Sequence, residues 1–388
     1  MILVWFLTSQ PDAWLERQNL YGLFIILGMV TLIDLTRYIF PDPFLTATLP
    51  PRFGMVLIFI VAVAIAILLI TRLSRAYTWI LSIVIILLVA ILLILKSPEL
   101  SLQTSILIRE LTRRSAETAA ASDLRWLGFS YIAFRLIHVL RDKQQERLPE
   151  LTLPEFATYV VFFPSLSAGP IDRAERFAQD LRKDFALTQD ETLLAGQRIA
   201  IGLFKKFVVA DTLALIALND ALATQVRTTG WMWIILYACT FQIYFDFSGY
   251  TDIALGIARL VGIKLPENFA SPYTKPNLTQ FWNNWHMTLT QWFRAYFFNP
   301  FNRWIRAYKN IPAWMMILMG QLATMLLIGL WHGVTINFIL WGAWHGLGLF
   351  IQNRWSDFMR VRFPNLQQNA RLQPALHFGG VLLTFHFV

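Results

Sequence analysis

Gly329-Leu330-Trp331-His332-Gly333, echoed by Gly342-Ala343-Trp344-His345-Gly346, interrupts an apolar run extending from Ile311 to Phe350. No Asp, Glu, Lys or Arg occurs between Lys309 and Arg354, so this part of the chain is able to enter hydrocarbon, yet it takes two imidazoles with it. A polar group in lipid or in a dry interior costs several kcal/mol unless partnered, which makes an intramembrane histidine a candidate functional residue. The 44 uncharged residues from Asn310 to Asn353 would make a helix of about 66 Å, far beyond a bilayer. Two spans are required, with the break near Gly329 to Asn337, beside His332. In an unbroken helix, His332 and His345 would lie about 20 Å apart on nearly opposite faces. They could share a compact site only if the chain broke between them. One is therefore expected to be structural, and the flanking glycines, which permit turns and close approach, single out His332 as the functional one.

The wider composition is that of a multi-pass membrane protein. Of 388 residues, 56% are hydrophobic and 15% are charged, against about 25% charged in soluble domains. Mean hydropathy is +0.51. The net charge of +9 resides in short loops between apolar spans. These cations read as topology determinants and as an attractive surface for an anionic partner; no nucleic-acid partner is implied. The lone cysteine, Cys239, excludes intrachain disulfides and a Cys-rich metal centre, and mid-span it reads as a small buried residue. The N-terminus, with Asp12 and Glu16 and no basic n-region, does not read as a cleaved signal peptide.

Leu20 to Phe40 is a candidate span, with Asp34 and Arg37 spaced for a local pair. Phe53 to Ile70 and Tyr77 to Leu95 are uncharged runs of bilayer length. The intervening Thr71-Arg72-Leu73-Ser74-Arg75-Ala76 reads as a tight basic turn, cytoplasmic by the positive-inside rule, which also places the N-terminus inside. Lys96 to Asp123 reads as an interfacial amphipathic segment, and Leu124 to Leu140 returns to the membrane with Arg135 and His138. Phe156 to Ser167, closed by Gly169-Pro170, is either re-entrant or a plain surface hairpin. Leu194 to Leu218 is either an inward-facing span or an interface helix.

Thr228 to Phe245 spans and runs into Asp246-Phe247-Ser248-Gly249-Tyr250-Thr251-Asp252. Asp246 and Asp252 do not share a helical face, so capping or pairing with Arg and Lys is the expected role of both. Phe281 to Arg294 reads as one helix with His286, Leu289, Thr290 and Phe293 on a common face and Trp282, Trp285 and Trp292 as interface anchors. The chain closes on what reads as the start of a further span, Phe378 to Val388, implying a truncated chain or a short last helix.

No Gly-x-Ser-x-Gly elbow, His-Glu-x-x-His motif, phosphate-binding loop or dinucleotide fingerprint occurs. A metal cage of His286, His332 and Asp246 has the right donor types but no local chelating spacing. A membrane-embedded histidine without an evident protein nucleophile remains. A neutral imidazole can deprotonate an alcohol as it attacks an activated acyl group, and direct transfer in a ternary complex is then the simplest route.

Phe162-Phe163-Pro164, Ala168-Gly169-Pro170-Ile171, Tyr244 to Ala254, Pro266-Glu267-Asn268-Phe269, Phe281-Trp282 with Trp285-His286, and Gly329 to Gly333 occur in the order seen in the membrane-bound O-acyltransferases. The sequence resembles that family over Leu124 to Phe350, and most of all its bacterial cell-envelope branch, whose members D-alanylate teichoic acids or O-acetylate alginate. The resemblance implies an all-α, polytopic fold: a ring of transmembrane helices around a central tunnel, with re-entrant and interfacial helices. It divides the chain into an N-terminal scaffold, 1–123, and a catalytic core, 124–388, with the last helix cut short. It puts catalysis on His332 and His286, and substrate binding on Asp246, Trp285, Trp331, Asn337 and Arg294. Asn283, Asn284 and Ala295 depart from the family pattern on the donor side.

The implied activity is transfer of an acetyl or D-alanyl group to hydroxyls of an envelope polysaccharide or polyol polymer, in the plasma (inner) membrane of a bacterium. No bound cofactor or metal is implied. The co-substrate would be a cytoplasmic acyl thioester, on an acyl carrier protein's phosphopantetheine or on coenzyme A. An extracytoplasmic acyltransferase would be a further partner. The competing readings are a non-catalytic transporter or scramblase, for which matched halves with broken helices are missing from the sequence, and an inactive truncated homologue.

Overall fold

The computed structural model describes all residues except 43, 44, 46–48, 113, 125, 309 and 365–368, and the side chain of residue 220. Among the described residues every regular element is helical. In chain order these are α1 (Ile2–Thr8), α2 (Arg17–Ile39), α3 (Phe53–Ala76), α4 (Trp79–Lys96), α5 (Pro98–Leu111), α6 (Phe129–Gln144), α7 (Leu153–Val160), α8 (Ala174–Leu181) and α9 (Gln189–Leu203). They continue with α10 (Asp211–Ala214), α11 (Asp220–Gln225), α12 (Thr229–Leu260), α13 (Leu278–Asn284), α14 (Met287–Phe293), α15 (Asn299–Arg306), α16 (Ala313–His332), α17 (Ile336–Arg362) and α18 (Gln373–Phe387). Among the described residues, α2, α3, α4 and α16 are long and apolar enough to cross a membrane, and most of their side chains are uncovered, as lipid-facing helices require. The chain is a polytopic, all-helical membrane protein.

Two compact units are distinguished. The first comprises Met1–Val89, Ile132–Phe163 and Arg173–Lys183. Here α3 carries Arg72 and Arg75 on its last turns and reverses at Tyr77, so the expected basic turn is helical. From Met55 to Ala76 the sequence has no Gly or Pro, so α3 has no reason to stop earlier. The expected Asp34–Arg37 pair is not what Arg37 makes: its Nη1 donates to the Pro50 carbonyl at 2.5 Å. Helix α6 has 16 residues, fewer than a bilayer needs, so the expected return to the membrane is not a full span.

The two polar residues of α6 serve helix ends. Nη1 of Arg135, 1% exposed, donates to the carbonyls of Tyr159 and Val160 at 3.0 and 2.8 Å, capping the C-terminus of α7. His138 accepts the N–H of Ala174, the first residue of α8, at 3.2 Å. Both satisfy backbone groups that a helix leaves without internal partners. Outside the membrane-spanning helices, Arg182 bonds both carboxylate oxygens of Glu155, at 2.7 and 2.8 Å, and holds that carboxyl below its ordinary range.

The second unit comprises Ala90–Tyr131, Pro164–Asp172 and Asp184–Val388. The segment expected as an interfacial amphipath contains α5. Helix α12 runs for 32 residues, so Asp246 to Asp252 is helical throughout, and Cys239 is only half-buried. Helices α9 and α12 pack backbone to backbone: a Cβ on Gly202 would stand 2.6 Å from the Gly249 carbonyl oxygen, and one on Gly249 would stand 2.8 Å from that of Gly202. The expected pairing of the two aspartates follows. Asp252 receives Arg198 and Lys205, each at 2.6 Å, and Asp246 receives Lys206. Lys206 lies in a π-helical turn, Phe204–Ala210, which continues α9.

The predicted break between the two Trp-His phrases falls at Gly333 to Thr335, where α16 ends and α17 begins. The glycines of the phrases serve the packing of these two helices. A Cβ on Gly329 would lie 2.2 Å from the Phe338 carbonyl oxygen, one on Gly342 would lie 2.5 Å from that of Met325, and one on Gly346 would lie 2.9 Å from the Leu322 Cα. Backbone atoms cannot yield as side chains can. Gly342→Ala is expected to destabilise the protein by roughly 1–3 kcal/mol through overpacking. Gly196→Ala on α9, where nothing lies within 4 Å, should be neutral or stabilising. Thermal unfolding in detergent compares the two, and equal midpoints would contradict the packing role.

Candidate active site

The helix expected over Phe281 to Arg294 is broken, and the break is what places His286. Helix α13 ends at Asn284, Trp285 is extended, and His286 has φ 42° and ψ 55° before α14 begins at Met287. A left-handed conformation in a non-glycine residue costs on the order of 1–3 kcal/mol and persists only where the surroundings impose it. Here the surroundings are the Pro266-Glu267-Asn268-Phe269 link, which runs alongside the break. Ala270 N–H donates to the Asn284 carbonyl at 3.1 Å, and Met287 N–H donates to that of Asn268 at 2.9 Å. Leu289 and Phe293 share the buried face of α14 as expected, but His286 is not on that helix.

The Asn268 side chain, 0% exposed, completes the arrangement. Its Oδ1 accepts from Thr288 Oγ1 at 2.6 Å and Thr288 N–H at 3.3 Å, and faces His286 Nδ1 at 3.3 Å. Thr288 Oγ1 in turn accepts the Ile171 N–H at 3.0 Å. The backbone N–H of Thr288 requires an oxygen opposite it, which fixes the orientation of the amide. An amide oxygen only accepts, so His286 carries its proton on Nδ1 and presents Nε2 as a bare acceptor. That Nε2 is buried and has no hydrogen-bond partner among the described residues. Three stretches far apart in sequence, at Ile171, Asn268 and Thr288, thus converge to orient one imidazole.

His332 ends α16 and is exposed as a residue, although aromatic rings pack around its imidazole. It stacks on Phe338 at 5.6 Å and lies edge-on to Trp341 at 5.4 Å. Trp331 stands between the two histidines, its ring centroid 4.6 Å from that of His332 and 6.1 Å from that of His286. Phe247 closes the other side of His286 at 4.8 Å. The break in the chain also brings back His345, whose ring touches Trp341 at 4.6 Å. His345 is walled in by Trp282 and Phe387 and is 2% exposed. Trp282, expected as an interface anchor, is buried against Trp341 and His345. Its side chain is consumed by packing that only the fold reveals.

The remaining candidates are placed around this centre in different ways. Trp285 packs with Tyr244, Phe269, Tyr273 and Phe281. Arg294 Nη2 donates to Asn283 at 2.5 Å and borders a mostly apolar cavity of about 190 Å³. Asn337 is exposed at the start of α17, next to the Phe338 that stacks on His332. Asp246 is drawn to Lys206, and its neighbour Phe247 is what meets His286. The structure adds residues not singled out from sequence: Asn268 and Thr288, and Lys96, whose Nζ stands 5.4 Å over the Trp331 ring. Lys96 is the charge that ends an apolar run, and that was its only signal. Among the described residues no cluster of His, Cys, Asp and Glu could hold a metal ion.

The chain is similar to known proteins. The family model for MBOAT, the membrane-bound O-acyltransferase family, matches residues 65–385. The chain is 38% identical over 231 residues to the probable alginate O-acetylase of Pseudomonas syringae pv. tomato, a match covering 58% of this chain and 42% of that one. It is 33% identical over 272 residues to the teichoic acid D-alanyltransferase of Bacillus subtilis, covering 68% and 67% respectively. The peptidoglycan O-acetyltransferase of Helicobacter pylori is 35% identical over 236 residues, covering 57% and 43%. The matched region thus spans under half of the two acetylating relatives and about two thirds of the D-alanylating one. The chain belongs to the membrane-bound O-acyltransferase family.

Proposed function

We propose that this chain transfers an acetyl or D-alanyl group from a cytoplasmic acyl thioester to hydroxyls of a cell-envelope polymer, in the inner membrane of a bacterium. The observation that carries the reading is the pair of imidazoles on either side of Trp331, one held in a single tautomer and the other exposed at a helix end. The relatives named for acetylation or D-alanylation of envelope polymers support the substrate class. An acyl carrier protein's phosphopantetheine or coenzyme A would carry the donor. An extracytoplasmic acyltransferase is a further partner in this reading.

In the chemistry, His332 takes the proton of an acceptor hydroxyl as its oxygen attacks the thioester carbonyl. The tetrahedral adduct collapses with cleavage of the C–S bond, the oxygen ester forms, and the imidazolium returns its proton to the departing thiolate. No acyl-enzyme is needed. With Nδ1–H committed to Asn268, His286 offers Nε2 as an acceptor, so it suits holding a neighbouring hydroxyl of the polyol acceptor, whose reacting hydroxyl gives its own proton to His332, and not polarising the donor carbonyl. Asn268 is then a positioning residue that acts through His286. Trp331, Trp285, Asn337 and Arg294 are the proposed contacts to substrate, and Asp246 supports through its pairing with Lys206.

Two experiments test this. Membranes containing the chain, given a labelled acyl thioester and a polysaccharide acceptor, should form ester-linked label, and His332→Ala should lower the rate by roughly 10²–10⁴-fold. Label that survives the substitution would refute His332 as the base. Asn268→Ala should lower kcat on the order of 10²-fold through misplacement of His286, with the KM for the thioester unchanged. Asn268→Asp, which keeps the accepting oxygen, should restore much of the rate. An unaltered kcat in Asn268→Ala would remove Asn268 from the mechanism.

A further inference from the structure

A cavity of about 770 Å³ lies wholly within the first unit. Three stretches meet around it: the end of α1 with Ser9 to Pro11, the reversal from α3 to α4 at Arg75 to Trp79, and the end of α6 with Arg141 to Glu146. Loop charge places the α3–α4 reversal and the N-terminus on the cytoplasmic side, and the cavity is lined by both.

Its charge is unbalanced. Arg75, Arg141 and Lys143 line it against a single carboxylate, Glu146. None of the three cations makes an ion pair among the described residues. Two of them are nevertheless held in place. The Arg75 guanidinium lies 4.9 Å over the Trp14 ring, whose Nε1 donates to Ser9 at 2.9 Å. Arg141 Nη1 donates to Gln144 Oε1 at 2.7 Å, and Gln144 Nε2 donates to Ser82 at 2.9 Å. Stacking on an aromatic face leaves the guanidinium N–H groups of Arg75 available. Fixed guanidinium donors without a carboxylate match phosphate oxygens.

The rest of the lining is apolar or hydroxylic, with Phe6, Leu7 and Leu81 beside Ser74 and Thr78. The volume far exceeds that of a phosphate ion. On the adjoining surface, Leu73, Tyr77 and Trp79 are 52%, 51% and 57% exposed, at the ends of two lipid-facing helices. A basic pocket between helix ends on the cytoplasmic face is the setting in which anionic lipid headgroups are held.

We propose that this cavity binds the phosphate headgroup of an anionic membrane phospholipid, with Arg75, Arg141 and Lys143 on the phosphate oxygens and the apolar wall against the glycerol and upper acyl chains. The site is separate from acyl transfer and does not depend on that activity.

The full chain, delipidated in a neutral detergent, is titrated with phosphatidylglycerol, phosphatidylcholine or inorganic phosphate while its thermal midpoint is followed and bound lipid is counted by native mass spectrometry. Phosphatidylglycerol should raise the midpoint and remain bound, and phosphatidylcholine should do neither. Lys143→Gln and Arg75→Gln should each weaken phosphatidylglycerol retention roughly five-fold, and the triple variant with Arg141→Gln should abolish it. Equal effects of the two lipids, or full retention in Lys143→Gln and Arg75→Gln, would overturn the proposal. Protection by inorganic phosphate equal to that of phosphatidylglycerol would replace the lipid with a soluble phosphate. The single variants and the salt dependence of retention decide the matter if the triple variant does not fold.

Discussion

One side-chain oxygen, Oδ1 of Asn268, collects donors from the backbone and hydroxyl of Thr288 and from the ring of His286. An apolar interior leaves a buried polar atom no water to fall back on, so an acceptor that satisfies several donors decides how the chain around it must run. Here it forces the left-handed turn at His286, splits what would have been one helix, and ties the Ile171 loop to the same point through Thr288. The histidine is thereby left with its acceptor nitrogen bare.

The other half of the centre depends on close approach and not on hydrogen bonding. Helices α16 and α17 meet through Gly329, Gly342 and Gly346, and at such distances only a missing Cβ fits. In lipid, where apolar surface gains nothing by leaving its solvent, close packing of small residues is a main source of helix association. The turn that this packing permits sets Trp331 toward His286 and lets Phe338 and Trp341 hold the ring of His332.

Much of this was legible in the sequence where a single number decides. An uncharged stretch longer than a bilayer had to break, and the break lay where the glycines and Thr335 allow one. Spans α3 and α4 were visible as uncharged runs and α2 as an apolar run charged near one end, and the pairing of Asp246 and Asp252 with basic residues followed from their separation around a helix. Three of the misreadings share a cause: each depended on a contact distant in sequence. Nothing local marks His286 as left-handed, because the link that imposes it lies 18 residues away at Asn268. Trp282 looks like any interface tryptophan until Trp341 and His345 cover it. Arg135 and His138 looked like charges carried into a span, when their partners are the ends of α7 and α8. The resemblance to the acyltransferases pointed to His286 and His332 but gave no reason for Asn268 beyond its place in a motif.

The two imidazoles are read as one site, and a double-mutant cycle tests that directly. Acyl transfer is measured for the wild type, His286→Ala, His332→Ala and the double variant under the same donor and acceptor concentrations. Groups that act as a unit are far from additive, so the double variant should lose no more than about what the worse single variant loses. Losses that multiply would mean that the histidines act independently, and the shared site around Trp331 would be wrong.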